Sequence, residues 1–253
     1  MRLLVSVMDP GEVGPAAAGG ADIIDVKDPS RGPLGRPQTR VVRAVRAALP
    51  PTYLMSVALG DARTFSDTLA RAARAVAAVQ VDFIKVGLVG SRRDAASLLR
   101  RLVEVTGEAN PRTRVVAVAY ADARWINAVS PFLLPTLAAT AGAHGIMLDT
   151  AYKDGTSLLT HLQVRSLSIF VALARSAGLS VGLAGSLGVA EVERLQDVEP
   201  DVVGVRGAVC RHGRAGRVDA TLVRRLSQVI RCHSALSGVS VSHSSPDGSA
   251  FEK

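Results

Sequence analysis

Short apolar runs recur along the chain, and each closes on Gly, Asp or Pro: RLLVSVMDP, ADIIDVKDP, TYLMSVALGD, VDFIKVGLVG, TRVVAVAYAD, HGIMLDTAYKDG, LSVGLAGSLG and DVVGVRGAVC. Runs of this length, bounded by turn residues, read as strands. Between them the apolar positions fall at helical spacing, as in Phe65, Leu69, Ala72, Val76 and Val79, or Val218, Leu222, Leu226, Val229 and Ile230. Such alternation requires parallel β/α units, and eight of them within about 230 residues match a closed (β/α)8 barrel.

An open doubly wound sheet satisfies the same alternation, so the strand ends decide between the two. Charged and polar residues collect at the C-terminal tips of the second, fourth and sixth strands, and glycine-rich turns follow the seventh and eighth. That distribution belongs to the active-site face of a barrel. The expected fold is therefore α/β, a single (β/α)8 TIM barrel over residues 1–233. From Ser234 the sequence SALSGVSVSHSSPDGSAFEK loses helical periodicity and fills with Ser and Gly, so residues 234–253 read as a disordered tail.

Composition narrows the function classes. The formal net charge of +8 arises from 30 Lys and Arg against 22 Asp and Glu, but the arginines are spread along helical segments such as TRVVRAVRAALP and ARAARAVAA. A nucleic-acid interface needs clustered cations, so none is expected; an anionic small substrate fits the excess, with solvated helix faces carrying most of it. The two cysteines, Cys210 and Cys232, have no metal-ligand spacing, and the histidines form no ligand set, so neither a disulfide framework, a metal nor another cofactor is expected. The apolar run at the N-terminus is too short for a signal-peptide core, and nowhere do about 18 apolar residues stand together. A cytoplasmic protein without a membrane segment is the resulting expectation.

Candidate chemistry sits at the strand tips. Asp25 and Lys27 lie two residues apart at the end of the second strand and so share a face. Lys85 on the fourth strand keeps company with Val81, Phe83 and Gly87, and Asp149 on the sixth with Gly145 and Met147, which points both toward the lumen; Lys153 follows in the next loop. A desolvated lysine among other cations loses pKa and becomes a neutral nucleophile able to form a Schiff base, while carboxylates orient it or carry protons. The plainer alternative is a set of rim ion pairs. Tyr120 and Asp122 in VAYADA reach the same mouth, with Asp122 equally suited to capping the next segment. GLAGSLGVAEV and GVRGAVC place Gly185, Ser186, Gly204, Arg206 and Gly207 where barrels of this type bind phosphate, Arg206 either as a ligand or as a tie across the rim.

The stretches GGADIIDVKDPSRGPLG, DFIKVGL, YADA, MLDTAYKDG, LAGSL and DVVGVRGAVC resemble, in order and spacing, the (5-formylfuran-3-yl)methyl phosphate synthases of methanofuran biosynthesis, over about residues 1–232. The resemblance implies a metal-free barrel that condenses two molecules of glyceraldehyde 3-phosphate into a phosphorylated furan aldehyde, with loss of one phosphate and of water. Carried over position by position, Lys27 would be the Schiff-base lysine and Lys85 the general acid or base, with Asp25, Asp149 and Lys153 in support. The loop VCRHGRAGRVD is richer in arginine than the family pattern, and the Ser-rich tail lies outside it. Two other readings stay open: a class I aldolase or isomerase acting on triose phosphates, and a noncatalytic sugar-phosphate-binding barrel. The expected partner is a small triose phosphate. Oligomeric state is not legible in the sequence, and a homo-oligomer stays open.

Overall fold

Eight parallel strands close on themselves in sequence order: β1 (Arg2–Val7), β2 (Ile23–Val26), β3 (Leu54–Ala62), β4 (Phe83–Leu88), β5 (Arg114–Tyr120), β6 (Gly145–Asp149), β7 (Ser180–Leu183) and β8 (Val202–Val205). β8 returns to β1 in parallel register, Arg2 opposite Val202 and Val5 opposite Val205, so the sheet has no edge. The structure is a computed structural model that describes residues 1–237, with side chains through residue 232. The helices α1 (Val13–Ala18), α2 (Thr39–Ala48), α3 (Asp67–Ala77), α4 (Arg92–Ala109), α5 (Leu134–Thr140), α6 (Leu158–His161), α7 (Val164–Ser176), α8 (Val189–Arg194) and α9 (Ala220–Ser237) fill the crossovers and follow β8. The expected tail overlaps the last turn of α9 and otherwise lies outside the described residues.

Helix starts follow local chemistry. Ser66 accepts the Leu69 N–H ahead of α3, and Ser91 accepts the Asp94 N–H ahead of α4, each satisfying a donor that the helix cannot. Among the described residues no helix is long and apolar enough to cross a membrane.

Strand parity divides the interior into two apolar layers. Val5, Ile24, Val57, Ile84, Ala117 and Leu148 face outward onto helix residues such as Val45, Leu98, Leu102 and Phe170. Leu4, Ile23, Ala58, Val118, Tyr120, Met147 and Ala184 face the lumen. A shift of one residue would exchange these faces, so register has to be fixed. Aspartates at the lower end fix it three times over: Asp22, Asp82 and Asp201, just ahead of β2, β4 and β8, accept the N–H of Leu3, Met55 and Val181 at 2.7, 2.7 and 2.8 Å. Each of these aspartates also donates its own N–H to the carbonyl of the same partner residue.

The lumen is filled unevenly. Below Lys85 it holds a cavity of about 590 Å³ reaching the N-terminal end, bordered by Ile23, Phe83 and Val116 on one side and by Gly145 and Gly182 on the other. A Cβ on Gly182 would stand 2.7 Å from Met147 Cε, so the glycine leaves room for that side chain.

At the upper end β3 slips register between Ala58 and Asp61, with Gly60 at φ +94°. This irregularity re-aims the strand and brings Asp61 against the Tyr120 hydroxyl, which donates to its carboxylate. Gly87 on β4 makes space for the pair, because a Cβ there would fall 1.9 Å from Asp61 Oδ1 and 2.4 Å from Tyr120 Oη. Gly87→Ala should therefore cost about 1–3 kcal/mol of stability in urea denaturation, as overpacked sites do. Part of that loss should disappear when the same change is made in an Asp61→Ala background, where only the Tyr120 hydroxyl still stands in the way; an equal loss in both backgrounds would mean that the carboxylate is not an obstacle.

Candidate active site

Three lysines and two aspartates meet where the inward faces of β2, β4 and β6 reach the C-terminal mouth. Asp25, wholly buried on β2, accepts the Ser6 hydroxyl at 2.9 Å on one oxygen and pairs with Lys85 Nζ at 2.8 Å on the other. Lys85 stands on β4 and reaches across β3, whose inward residues Ser56 and Ala58 are small enough to let it pass. Asp149, the last residue of β6, accepts Lys153 Nζ at 2.7 Å and the Thr150 N–H at 2.8 Å. Lys153 also donates to Thr150 Oγ1 at 3.0 Å. Asp122 does not cap the segment that follows it. Its two oxygens accept the N–H groups of Ala151 and Tyr152, holding the loop that carries Lys153.

Lys27 is the lysine left over. It directly follows β2, its N–H continues the ladder to the Val7 carbonyl, and its side chain is 7% exposed. Both carboxylates are already committed to other lysines, and Lys27 makes no ion pair among the described residues. Burial pulls its pKa down, Asp149 and Asp25 pull it back up, Lys85 and Lys153 push it down again, and the ammonium ends at about 7 instead of 10.5. Asp149 shows the complementary balance: burial alone would raise its carboxyl, but the Lys153 and Lys27 ammoniums overcome that and hold it below the ordinary aspartate value. Burial, with the charge of Asp61 adding to it, keeps the Tyr120 hydroxyl protonated well beyond the ordinary tyrosine range.

A cavity of about 370 Å³ opens above this cluster, within the size range of small-molecule sites. Lys27, Lys85, Asp149 and Lys153 line its floor, and the turns after β7 and β8 line its far wall. Gly185 takes φ +114° and Ser186 φ +51°, left-handed conformations that turn the chain sharply. The N–H groups of Gly185, Ser186, Leu187 and Gly207 donate to no protein acceptor among the described residues. The Gly188 N–H, by contrast, is taken by Glu191 Oε2 at 2.9 Å, so the start of α8 is closed by its own carboxylate. Gly204 belongs to the lumen wall, where a Cβ would meet Ala184 Cβ at 3.3 Å.

Arg206 takes the second of its two expected roles. Its guanidinium is buried, and all five N–H donors are spent within the protein. They go to Glu12 at 3.0 and 3.3 Å, to the Ser6 carbonyl at 2.8 Å, and to the Arg214 and Gly216 carbonyls at 2.8 and 2.9 Å. It ties β8 to β1 and to its own loop, and its side chain has no donor left for a phosphate. Glu12 and Ser6 went unnoticed in the sequence, although Ser6 carried a signal as a polar residue on the lumen parity of LLVSV. Arg214, on the cavity wall, gave none beyond membership of an arginine-rich loop. Cys210 is a buried free cysteine.

Fold and site together define a (β/α)8 barrel with a buried lysine–carboxylate cluster at the C-terminal face. The chain belongs to the 4-HFC-P synthase family, whose profile matches residues 3–227. It is 40% identical over 235 residues to the (5-formylfuran-3-yl)methyl phosphate synthase of Methanococcus maripaludis, covering 91% of this chain and 100% of that protein. The protein of the same name from Methanocaldococcus jannaschii is also 40% identical over 235 residues, again with 91% and 100% covered. Among solved structures, 3-hexulose-6-phosphate synthase from Salmonella typhimurium superposes with a TM-score of 0.66 at 18% identity, covering 92% of this chain and 100% of that one, a likeness of fold.

Two outcomes follow. Reductive trapping of a small neutral aldehyde on Lys27 should rise with pH through a midpoint near 7 and level off above it, because only the neutral amine adds to a carbonyl. Asp149→Asn should move that midpoint down and Lys153→Met up; a rate still climbing steadily at pH 9 in the unmodified protein would refute the reading. Separately, Arg206→Met takes the bidentate guanidinium from the buried Glu12 carboxylate, leaving it the Met8 and Val218 N–H groups and Arg217 at 3.7 Å, and should lower unfolding free energy by about 3–5 kcal/mol, measured by urea denaturation. A loss below about 1 kcal/mol would show that the pair does not hold the rim.

Proposed function

We propose that the chain condenses two molecules of glyceraldehyde 3-phosphate into (5-formylfuran-3-yl)methyl phosphate, releasing one phosphate and water, through a Schiff base on Lys27. The observation that carries this reading is the leftover lysine: a buried amine without its own carboxylate, at about 7, on the floor of a cavity walled by free backbone N–H groups. The names borne by its relatives supply the product.

The neutral Lys27 amine adds to the carbonyl of one triose phosphate. The carbinolamine then loses water to give an iminium. Lys85, set against Asp25, removes the proton beside the iminium carbon to give an enamine, and the pair can return that proton later in the sequence. The enamine expels the phosphate from its own C3, and the enol so formed attacks, through C3, the keto carbon of the second triose, which proton transfer between its C1 and C2 has converted to the ketose form; Lys153, held by Asp149, protonates the resulting alkoxide. The C1 hydroxyl of the second triose closes the ring on the C2 carbonyl of the first, two waters leave to complete the furan, and hydrolysis of the iminium frees Lys27 and the product's aldehyde. Two three-carbon units thus become six carbons carrying a single phosphate. The turns after β7 and β8 hold phosphate by their N–H groups, with anion and donor paired by charge as well as geometry.

Incubation with glyceraldehyde 3-phosphate should yield a furan-aldehyde chromophore together with inorganic phosphate. Borohydride should add substrate mass at Lys27. Lys27→Arg should abolish both, because a guanidinium stays protonated and cannot form the iminium. Formation of ketose phosphates alone would reassign the chain as an aldolase or isomerase, and turnover retained by Lys27→Arg would remove the covalent mechanism.

A further inference from the structure

The cations that line the upper cavity are Lys27, Lys85, Lys153, Arg206 and Arg214. Lys85 has Asp25, Lys153 has Asp149, and Arg206 has Glu12 with three carbonyls. Lys27 is the covalent amine of the proposed reaction. That leaves Arg214, half-buried in the loop after β8, which among the described residues has no carboxylate within ion-pair distance. Its Nη2 donates to the Gly32 carbonyl at 2.7 Å and lies 3.5 Å from the Pro29 carbonyl. Its Nε and Nη1 donate to no protein acceptor among the described residues. Burial makes this guanidinium easier to deprotonate than an exposed one, with the charge of Asp149 acting the other way. A desolvated cation resting only on carbonyl dipoles is poorly compensated and gains most from an anion.

The surroundings supply a place for one. Gly207 backs directly onto this residue, since a Cβ on it would lie 3.7 Å from Arg214 N and 3.9 Å from its Cα. The unengaged N–H groups of Gly185, Ser186, Leu187 and Gly207 line the same cavity as Arg214. The dedicated arginine in GVRGA is consumed by Glu12, so the cradle has backbone donors but, without Arg214, no unpaired guanidinium to match a dianion.

We propose that Arg214 holds a substrate phosphate at the cradle formed by the turns after β7 and β8, and that its bond to Gly32 links the occupied cradle to the loop following Lys27. Phosphate then has a structural effect as well as an electrostatic one. With one of its free N–H groups on the anion and Nη2 on Gly32, one side chain spans the mouth between the β8 loop and the β2 loop. The substrate class rests on the triose-phosphate reading given above, whereas recognition of phosphate by Arg214 does not require that turnover occurs.

The test uses inorganic phosphate as probe, at constant ionic strength with chloride as the control anion, and reads binding from the shift in thermal midpoint. The unmodified protein should give a saturable shift, weakened at least 10-fold in affinity for Arg214→Gln and less for Arg214→Lys, which keeps the charge. In parallel, reductive trapping of unphosphorylated glyceraldehyde on Lys27 should fall far less than phosphate affinity in both variants, while the KM for glyceraldehyde 3-phosphate rises far more than kcat falls. Equal phosphate affinity in Arg214→Gln and the unmodified protein overturns the proposal. So does a parallel fall in phosphate affinity and glyceraldehyde trapping, which marks Arg214 as a strap that shapes the loops. Should Arg214→Gln fail to fold, Arg214→Lys decides, with phosphate affinity equal to the unmodified protein's counting against. Arg214-dependent phosphate binding in a protein that makes no furan product would sink the proposed reaction and leave this assignment standing.

Discussion

An unequal count of charges in a buried space sets the electrostatics of this barrel. Three ammonium groups and two carboxylates occupy the upper lumen, and two ion pairs at 2.7–2.8 Å use both carboxylates. A buried charge without a partner is expensive, so the remaining lysine gives up its proton readily. The identity of that lysine is set by geometry. Lys85 reaches Asp25 across the small inward side chains of β3, and Lys153 closes on Asp149 four residues behind it. Lys27, at the very tip of β2, has neither carboxylate to itself. The pairs therefore leave Lys27 without a carboxylate of its own, and their carboxylates still keep its pKa from falling further.

Such a balance survives only if the strands cannot slide. Asp22, Asp82 and Asp201 clamp the lower ends of the β1–β2, β3–β4 and β7–β8 pairs, each by two bonds to a single residue. At the upper end the Glu12–Arg206 pair spans the closure between β1 and β8, and the Ser6 carbonyl accepts from the same guanidinium while its hydroxyl holds Asp25. The rim tie and the Asp25 carboxylate are thus connected through Ser6. Arg206 is buried beside the site because its full set of donors is what allows a cation to remain there, and a lysine could not fill the same fork.

The fold was legible because period-two runs, turn residues and helical spacing all agreed, and parity alone sent Lys85 and Asp149 into the lumen. Parity could not say which lysine lacked a partner, since that depends on Ala58 and Ser56 being small on an intervening strand. Asp61 was invisible for a different reason: a register shift in β3 re-aims it, and irregular strands break the pattern on which such reading depends. Arg206 was open between two roles because its decisive partner, Glu12, stands far away in sequence, in a short turn that reads as surface. Loop identities of this kind are set by tertiary packing, which a local pattern does not encode.

The arginine-rich loop after β8 illustrates how formal charge misleads until partners are known. Arg211 pairs with Asp219 within the loop, and Arg217 reaches Asp9 after β1; both pairs are largely exposed and contribute little energy, yet they locate the loop's flanks. Arg206 anchors its base through the Arg214 and Gly216 carbonyls. With both flanks and the base fixed, the segment between them has little freedom, and Arg214 is presented inward over the cavity, its Nη2 on the loop that follows Lys27. Three of the four guanidiniums are neutralised by carboxylates of the chain, so the net excess at this mouth resides on the one arginine that is not. At the site this leaves the Arg214 guanidinium facing the same cavity as the Lys27 side chain.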